Sequence, residues 1–398
     1  MKVLQICSKI PFPAKDGGCL AMLNLAEMLH MNGVEIKILA METTKHPILQ
    51  GGFPLSWKQK FNPETYYIDT HINILKAIKN LFFSKRSFHI VRFESAAFEI
   101  KLKEILKKYK PDIVIFDSLF TCSYLDTIAQ NSSAKKVYRA HNIEHLIWKE
   151  IANKTASFFK KYYLNIQSQR LKDEEMLMIK KCDAIIAITR KDHDFFHQHF
   201  DHKPIFTLPF TIDLSQYNIS KSSSEKTIFF IGAMDWYPNL EGVNWFIDKV
   251  WKKLLMKHPT AKFYLAGKSM PEKLKQLESI NIFNLGEVEN AKSFMGKYPI
   301  MVAPIFSGGG LKIKIVEAMA LGKIVICNPQ AATGIDAKPF EHLLFAHSSN
   351  DFVDLLDGCF SRFDQYKQIG ENARSLISKQ FDSKMNAAAL DSFLMSIP

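Results

Sequence analysis

Short apolar runs alternate with segments of helical spacing along this chain. Residues 3–7 and 34–39 are apolar runs of strand length, and residues 20–29 between them carry apolar side chains at helical spacing. This order predicts a β-α-β unit. Further strand-like runs in the first half are residues 113–116, 136–139 and 184–188. Helical stretches separate these runs, so we predict a parallel sheet.

The same order restarts after a polar, serine-rich stretch at residues 215–226, which we interpret as a linker. A long helical pattern covers residues 240–257. The strand-like runs of the second half are residues 228–231, 263–266, 282–285, 300–303 and 324–327. Two consecutive α/β domains of similar size follow from this repetition. Ligands bind such sheets beyond the carboxyl ends of the strands.

Composition narrows the class of protein. The chain has 398 residues, of which 47% are hydrophobic and 23% charged, as in soluble globular proteins. No apolar run approaches the ~18–20 residues that span a bilayer, and the N-terminal run is too short for a signal peptide. The six cysteines are scattered without a C-x-x-C pair. We therefore expect a cytoplasmic protein without a disulfide framework or a zinc site.

The net charge of +12 is unevenly distributed. Roughly +9 of it lies before residue 216, which suits nucleic acid, anionic lipid or a phosphorylated substrate. Residues 72–88 combine isoleucines, leucines and phenylalanines with lysines and an arginine. This mixture is typical of a helix lying in an anionic membrane surface. It is equally typical of a buried amphipathic helix whose basic face is solvated, and both readings remain open.

The most informative chemistry follows the strand-like run 300–303. Three glycines, Gly308, Gly309 and Gly310, precede a helical pattern, and a glycine-rich turn that enters a helix offers backbone N–H groups to an anion. Lys314 and Glu317 are three residues apart and share one helix face. A helix over residues 310–317 would span about 10 Å, the scale of a nucleoside diphosphate. The alternative is a helix-capping turn with a surface lysine–glutamate pair.

Residues 307–325 resemble the nucleotide-sugar-binding signature of retaining, GT-B-fold glycosyltransferases of family 4. That signature runs from a glycine-containing loop into K-x-x-E-A-M-A-x-G, as this chain does up to Gly322. The resemblance implies that Glu317 holds the ribose hydroxyls and Lys314 a phosphate. It also implies a diphosphate and sugar cradle, formed by Ser307, Gly308, Gly309 and Gly310.

The resemblance extends to weaker motifs elsewhere. Gly17 and Gly18 resemble the N-domain glycine pair that faces the diphosphate. Val288 falls in a loop similar to the one whose backbone meets the base. His141 lies in an R-x-H-N-x-E sequence similar to the strand end that places a histidine against the donor sugar. The resemblance thus implies catalytic roles for His141, Lys314 and Glu317, with Arg139 and Glu144 as orienting groups.

Two departures from the family pattern affect the donor. Many members have a glutamate where this chain has Gly309, and that glutamate touches the donor sugar. Many also have a basic pair where this chain has residues 235–239, so Lys314 must supply more of the charge that meets the phosphates.

Lys15 and Asp16 lie in a loop that suits acceptor contact or a plain surface turn. Four histidines crowd one stretch but follow no metal-ligand spacing, and we predict no metal site there: His193, His197, His199 and His202.

The resemblance implies a GT-B architecture of two Rossmann-like domains facing each other across a cleft. We place them at residues 1–208 and 209–375, with a C-terminal helix, 376–398, crossing back to the first domain. The implied reaction is transfer of a hexosyl unit from an NDP-sugar with retention (enzyme class EC 2.4), uridine being the default base. The donor is a substrate, and no cofactor or metal is expected.

The expected acceptor is a glycan or a lipid-linked glycan of bacterial surface polysaccharide or glycolipid synthesis. Residues 72–110 are the expected contact with the inner face of an anionic membrane, and no nucleic acid is expected. Two alternatives remain open. One is a nucleotide-sugar epimerase on the same fold, which needs no acceptor. The other is a non-catalytic basic module that binds membrane or nucleic acid, with strongly salt-dependent affinity.

Overall fold

The computed structural model describes residues 1–14, 17–48, 52–219, 226–275, 281–307 and 310–398. Gly308, Gly309, Lys15 and Asp16 therefore lie outside the described residues. The chain divides into two compact units. The first comprises residues 1–211 and 383–398, and the second comprises residues 212–382. No helix in the described part of the chain is long and apolar enough to cross a bilayer.

The described residues of the first unit form a parallel sheet in the order β3-β2-β1-β4-β5-β6-β7. Its strands are β1 (Lys2–Cys7), β2 (Glu35–Glu42), β3 (Glu64–Tyr67), β4 (Ile113–Asp117), β5 (Lys135–Ala140), β6 (Ala184–Ala187) and β7 (Ile205–Thr207). Its helices are α1 (Gly17–Met31), α2 (Leu55–Phe61), α3 (Ile74–Phe83), α4 (Phe88–Val91), α5 (Ala96–Tyr109), α6 (Leu125–Asn131), α7 (Glu144–Lys154), α8 (Phe158–Lys180) and α9 (Arg190–His199). Alternate residues of β1 enter two apolar cores, Leu4 and Ile6 one, Val3 and Cys7 the other.

The second unit repeats the design with a parallel sheet in the order β10-β9-β8-β11-β12-β13. Its described strands are β8 (Thr227–Ile231), β9 (Lys262–Ala266), β10 (Ile282–Asn284), β11 (Ile300–Ala303), β12 (Ile324–Cys327) and β13 (Leu344–Phe345). Its described helices are α10 (Tyr237–Phe246), which runs through a π turn into α11 (Lys252–Lys257), then α12 (Glu272–Lys275), α13 (Ala291–Gly296), α14 (Ile313–Ala320), α15 (Ser349–Ser361) and α16 (Phe363–Phe381). The last helix, α17 (Ser383–Met395), belongs to the first unit, where Ala387 and Leu390 join the apolar core.

The strand order of each sheet locates its ligand edge. In the first sheet the order reverses between β1 and β4, and in the second between β8 and β11. Open parallel sheets bind ligands at such reversals, outside the carboxyl ends of the strands. Gly17 follows β1 and Asp117 ends β4, while Gly232 follows β8 and Ser307 follows β11. The parallel α/β units predicted from the sequence are confirmed, and their ligand edges carry the residues described next.

Candidate active site

The glycine loop of the second unit reaches its helix later than the sequence suggested. We expected the helix to begin at Gly310, but α14 begins at Ile313. Gly310 adopts φ +75°, a left-handed conformation that favours glycine, and residues 310–312 remain outside the helix. Ser307, before the loop, donates its hydroxyl to Glu241 over 3.0 Å. The backbone amides of the first turn of α14 therefore belong to residues after the glycines.

The ammonium group of Lys314 contacts side chains of α10 and β8. Its ammonium donates to Asn239 Oδ1 over 2.6 Å and lies 4.0 Å from the centre of the Phe230 ring. Burial, with a smaller contribution from the charge of Lys312, lowers the pKa of Lys314 to about 7. A bound diphosphate would restore the full charge, since an anion favours the protonated form. Asn239 thus orients this lysine, in the segment where many family members have a basic pair.

Gly232 leaves the space that Lys314 occupies. A Cβ atom at this position would lie 2.7 Å from Asn239 Nδ2 and 2.9 Å from Lys314 Nζ. Asn239 Nδ2 also donates to the carbonyl of Ala233 over 2.8 Å. Any side chain at Gly232 would therefore displace the lysine or the asparagine.

Glu317, one turn after Lys314, accepts a hydrogen bond from the Tyr217 hydroxyl over 2.8 Å. Burial raises the pKa of Glu317, and the Tyr217 hydroxyl and the nearby Lys292 oppose that rise. Lys292 lies 4.5 Å from the Tyr217 ring centre and donates to Gln216 over 2.6 Å. The carboxylate is thus half-buried and oriented through one oxygen, and its other oxygen can accept a further hydrogen bond.

Tyr217 was missed in the sequence because it stands 100 residues before Glu317. The interpretation of residues 215–226 as a linker is wrong at this residue: Tyr217 is only 3% exposed and belongs to the second unit. Arg374 donates to the backbone carbonyls of Tyr217 and Ala320, which ties this residue to the end of α14. A lone tyrosine in a polar stretch carries no pattern that would reveal this role.

The remaining predicted donor residues lie on other elements of the two units. Val288 is half-buried in the loop after β10. Gly17 and Gly18 are the first two residues of α1, in the first unit. The structure therefore brings Lys314 and Glu317 together on one helix. It places the glycine pair at the start of a different helix, where the backbone N–H groups have no partner within that helix.

His141 follows β5 and is held by an aspartate that the sequence analysis did not identify. Its Nε2 lies 2.5 Å from Asp117 Oδ1, and Asp117 is fully buried at the end of β4. Arg139, the strand neighbour of Asp117, donates to the same carboxylate and to the carbonyl of Ala21 in α1. Gln5 of β1 donates to Asp117 as well, over 2.6 Å. An acidic residue closing a buried strand was the available signal.

The charge of Asp117 determines which ring nitrogen of a neutral His141 carries the proton. Burial alone would raise the pKa of Asp117, but Arg139 and His141 hold it at about 2. An ionised Asp117 can only accept, so the proton of a neutral His141 ring stays on Nε2. Nδ1 then becomes the acceptor nitrogen of the ring. Arg139 ties Asp117 to α1 through the carbonyl of Ala21.

Glu144 begins α7 immediately after this cluster. Burial and the charge of Glu175 raise the pKa of Glu144 to about 7. Glu175, from α8, accepts the backbone N–H groups of Glu144 and His145 and also pairs with the His145 ring over 2.6 Å. The helix start is therefore anchored, and burial beside Glu175 favours the protonated form of Glu144.

The histidine-rich stretch lies on and after α9, whose Phe195 ring is 5.9 Å from that of His145. His193, His197 and His199 are on α9 and His202 follows it. His193 pairs with Asp194 and His202 with Asp201 at the surface. Within the described ranges, no three histidine, cysteine or acidic side chains are grouped as metal ligands would be.

Residues 17–216 match the model described as Glycosyltransferase Family 4, and residues 225–359 match the one described as Glycosyl transferases group 1. The first match alone covers half of the chain, and this chain belongs to glycosyltransferase family 4. It has the GT-B fold of two Rossmann-like domains, and the sequence-based fold class is confirmed.

Individual relatives are distant but span the whole chain. A protein from the cps region of Klebsiella pneumoniae, 44.6 kDa and uncharacterized, is 24% identical over 96% of this chain and 97% of its own. The crystal structure of Anabaena HepE in complex with UDP matches with a TM-score of 0.65 at 14% identity, covering 100% of both chains. A sucrose-phosphate synthase from Thermosynechococcus elongatus matches with a TM-score of 0.68 at 14% identity, over 99% of this chain and 98% of its own. These structures share the fold.

Proposed function

We propose that this glycosyltransferase moves a hexosyl unit from a UDP-sugar to a glycan or lipid-linked acceptor, with retention of the anomeric configuration. The observation that carries the proposal is the arrangement around α14. Asn239 and Tyr217 orient Lys314 and Glu317, so a cation and a carboxylate face one side of a helix. Polysaccharide synthesis fits the cps region that holds the Klebsiella relative.

The donor's charge and hydroxyls match these two side chains. Lys314 and the amides at the start of α14 favour a diphosphate, through charge-assisted hydrogen bonds and the helix dipole. Glu317 accepts from the ribose hydroxyls through the oxygen that Tyr217 leaves open. Together the two residues recognise the ribose and the diphosphate of the donor without contacting the hexosyl unit that is transferred. Family membership favours uridine as the base, by analogy with the UDP bound to HepE.

His141 is assigned to the donor sugar. With Nε2 bound to Asp117, its Nδ1 accepts a hydrogen bond from a sugar hydroxyl. We assign no general base to the transfer step, because in retention of this type the leaving phosphate takes the acceptor proton.

A donor screen tests the proposal. Among UDP-, GDP-, ADP- and dTDP-sugars, we expect only the UDP-sugars to raise the melting temperature. A ligand that binds only the folded state raises the free energy of unfolding by about 2.7 kcal/mol at a concentration of 100 Kd. Turnover with an acceptor should follow, and NMR of the product reports its anomeric configuration. Conversion of the donor without any acceptor would instead identify an epimerase, and inversion would contradict retention.

Turnover is expected to survive EDTA. The proposal assigns the diphosphate charge to Lys314 and the α14 amides, so removing divalent ions should change the rate less than about twofold. Initial rates with EDTA, and after adding back Mg²⁺ or Mn²⁺, measure this. Loss of activity that only a divalent ion restores would overturn the metal-free assignment.

Tyr217→Phe is expected to shift the pH dependence of UDP binding. Burial raises the pKa of Glu317 and the tyrosine hydroxyl lowers it, so removing that hydroxyl raises the pKa further. The protonated carboxyl is a poorer acceptor, and affinity should therefore weaken at a higher pH than in the wild type. UDP titrations between pH 5 and 8 measure the shift, with Tyr366→Phe on α16 as control. An unchanged profile would show that Tyr217 does not tune Glu317.

A further inference from the structure

Helix α3 exposes its apolar face. Ile74, Leu75, Ile78 and Phe82 fall within one sector of about 100° on this helix, and they are 72%, 78%, 48% and 73% exposed. The side that packs inward carries Ala77 and the polar Asn80. Of the two readings left open by the sequence, a buried amphipathic helix with a solvated basic face is therefore wrong.

Polar contacts hold α3 in this orientation. Gln167 of α8 donates to Asn80 Oδ1 over 3.1 Å, and Arg170 of the same helix donates to the backbone carbonyls of Asn80 and Leu81. Asn73 caps the first turn by accepting from the Lys76 amide. Because these hydrogen bonds hold the Asn80 side of α3 against α8, the apolar side of the helix faces outward.

A second apolar cluster lies at the start of α8, the helix that holds α3. Phe158 and Phe159 are 75% and 83% exposed, and Lys160 and Lys161 follow them directly. Helix α5, also within the region expected to contact a membrane, behaves differently: Phe98, Leu102, Ile105 and Leu106 are buried. Among the described residues of 72–110, the exposed apolar side chains are therefore concentrated on α3, and the start of α8 carries a further exposed pair.

The charged side chains of α3 itself are basic, while the acidic Asp69 and Glu94 line the same hollow as Lys76 and Lys79. Residues 72–93 contain five basic side chains and no aspartate or glutamate: Lys76, Lys79, Lys85, Arg86 and Arg92. Lys76 and Lys79 are exposed beside the apolar sector, whereas Arg86 is paired with Glu94 and Glu174. An exposed apolar stripe flanked by lysines complements the headgroup and acyl boundary of an anionic bilayer.

We propose that α3 and the start of α8 dock this protein on an anionic lipid bilayer. Ile74, Ile78, Phe82 and the Phe158–Phe159 pair insert shallowly, while Lys76 and Lys79 contact acidic headgroups. This surface lies in the first unit, and its binding does not depend on the proposed transfer reaction. It extends that proposal by favouring an acceptor carried in the lipid.

Vesicle sedimentation tests the surface on the full-length protein. We expect binding to phosphatidylglycerol–phosphatidylethanolamine vesicles and at least about tenfold weaker binding to phosphatidylcholine vesicles. Lys76→Glu/Lys79→Glu and Ile78→Ser/Phe82→Ser should each weaken binding to the anionic vesicles at least about tenfold. Phe158→Ser/Phe159→Ser should weaken it as well. Met256→Ser in the second unit, 78% exposed, is the matched control and should bind as the wild type does.

The outcomes separate this surface from the donor site. Each variant should retain the wild-type melting temperature and UDP affinity, because the altered side chains are exposed and Lys314 and Glu317 are untouched. Ile78→Ser/Phe82→Ser binding like the wild type would leave charge attraction alone and overturn the proposal, as would a wild type that ignores anionic vesicles. Vesicle binding without nucleotide binding would instead overturn the proposed function and leave the docking surface standing.

Discussion

Glu317→Gln is expected to abolish most of the stabilisation that UDP gives the protein. Glutamine keeps the shape of the side chain and a carbonyl oxygen for the Tyr217 hydroxyl, but it loses the charge that strengthens hydrogen bonds from ribose. Hydrogen bonds to charged groups contribute about 1.5–3 kcal/mol, so the Kd for UDP should rise roughly 10- to 100-fold. Isothermal titration and thermal shifts with UDP measure the loss.

A carboxylate elsewhere in the second unit provides the control. Glu371→Gln changes an exposed residue of α16 that lies 4.0 Å from Lys367, and UDP binding should be unchanged. Without nucleotide, Glu317→Gln should melt near the wild-type temperature, because it removes a carboxylate whose charge burial disfavours. A Glu317→Gln protein that binds UDP as tightly as the wild type would show that this carboxylate does not meet the ribose.

The strands of the two sheets followed from apolar periodicity wherever a strand is buried on both faces. Strand β4 is buried along its whole length, and β12 likewise. The strands that the pattern did not reveal are short or partly exposed: β3, β7 and β13. A run of two to four residues with mixed burial has few positions from which to recognise a period of two, although β10, equally short, was predicted from residues 282–285.

In the candidate site, residues close together in the sequence could be predicted, and residues far apart could not. Lys314 and Glu317 are three residues apart, so helical geometry alone placed them on one face. Asn239 and Tyr217 meet them across 75 and 100 residues, and no local pattern encodes such contacts. The orientation of α3 was equally hidden, because Gln167 and Arg170 of another helix determine which side faces inward.

Asp117→Asn is expected to destabilise the first unit by about 3–5 kcal/mol, since removing one partner of a buried ion pair leaves the other charge uncompensated. Arg139 is 1% exposed and would keep its charge without the carboxylate. Urea unfolding at pH 7 measures the change. Asp126→Asn, which breaks the exposed pair with Lys181, should cost no more than about 1 kcal/mol.

The pH dependence of stability gives an independent check on Asp117. Its pKa is held at about 2 in the folded protein, below the ordinary value of about 3.9 for an unfolded chain. A depressed pKa contributes stability that is fully present above pH 4 and is lost as the pH falls toward 2. The wild type should therefore lose roughly 2 kcal/mol through this residue over that interval, and Asp117→Asn should lack that component. If the free energy of unfolding fell equally steeply for the two proteins between pH 4 and 2, Asp117 would not be ionised beside Arg139. In that case Asp117→Asn/Arg139→Met should be no more stable than Asp117→Asn alone.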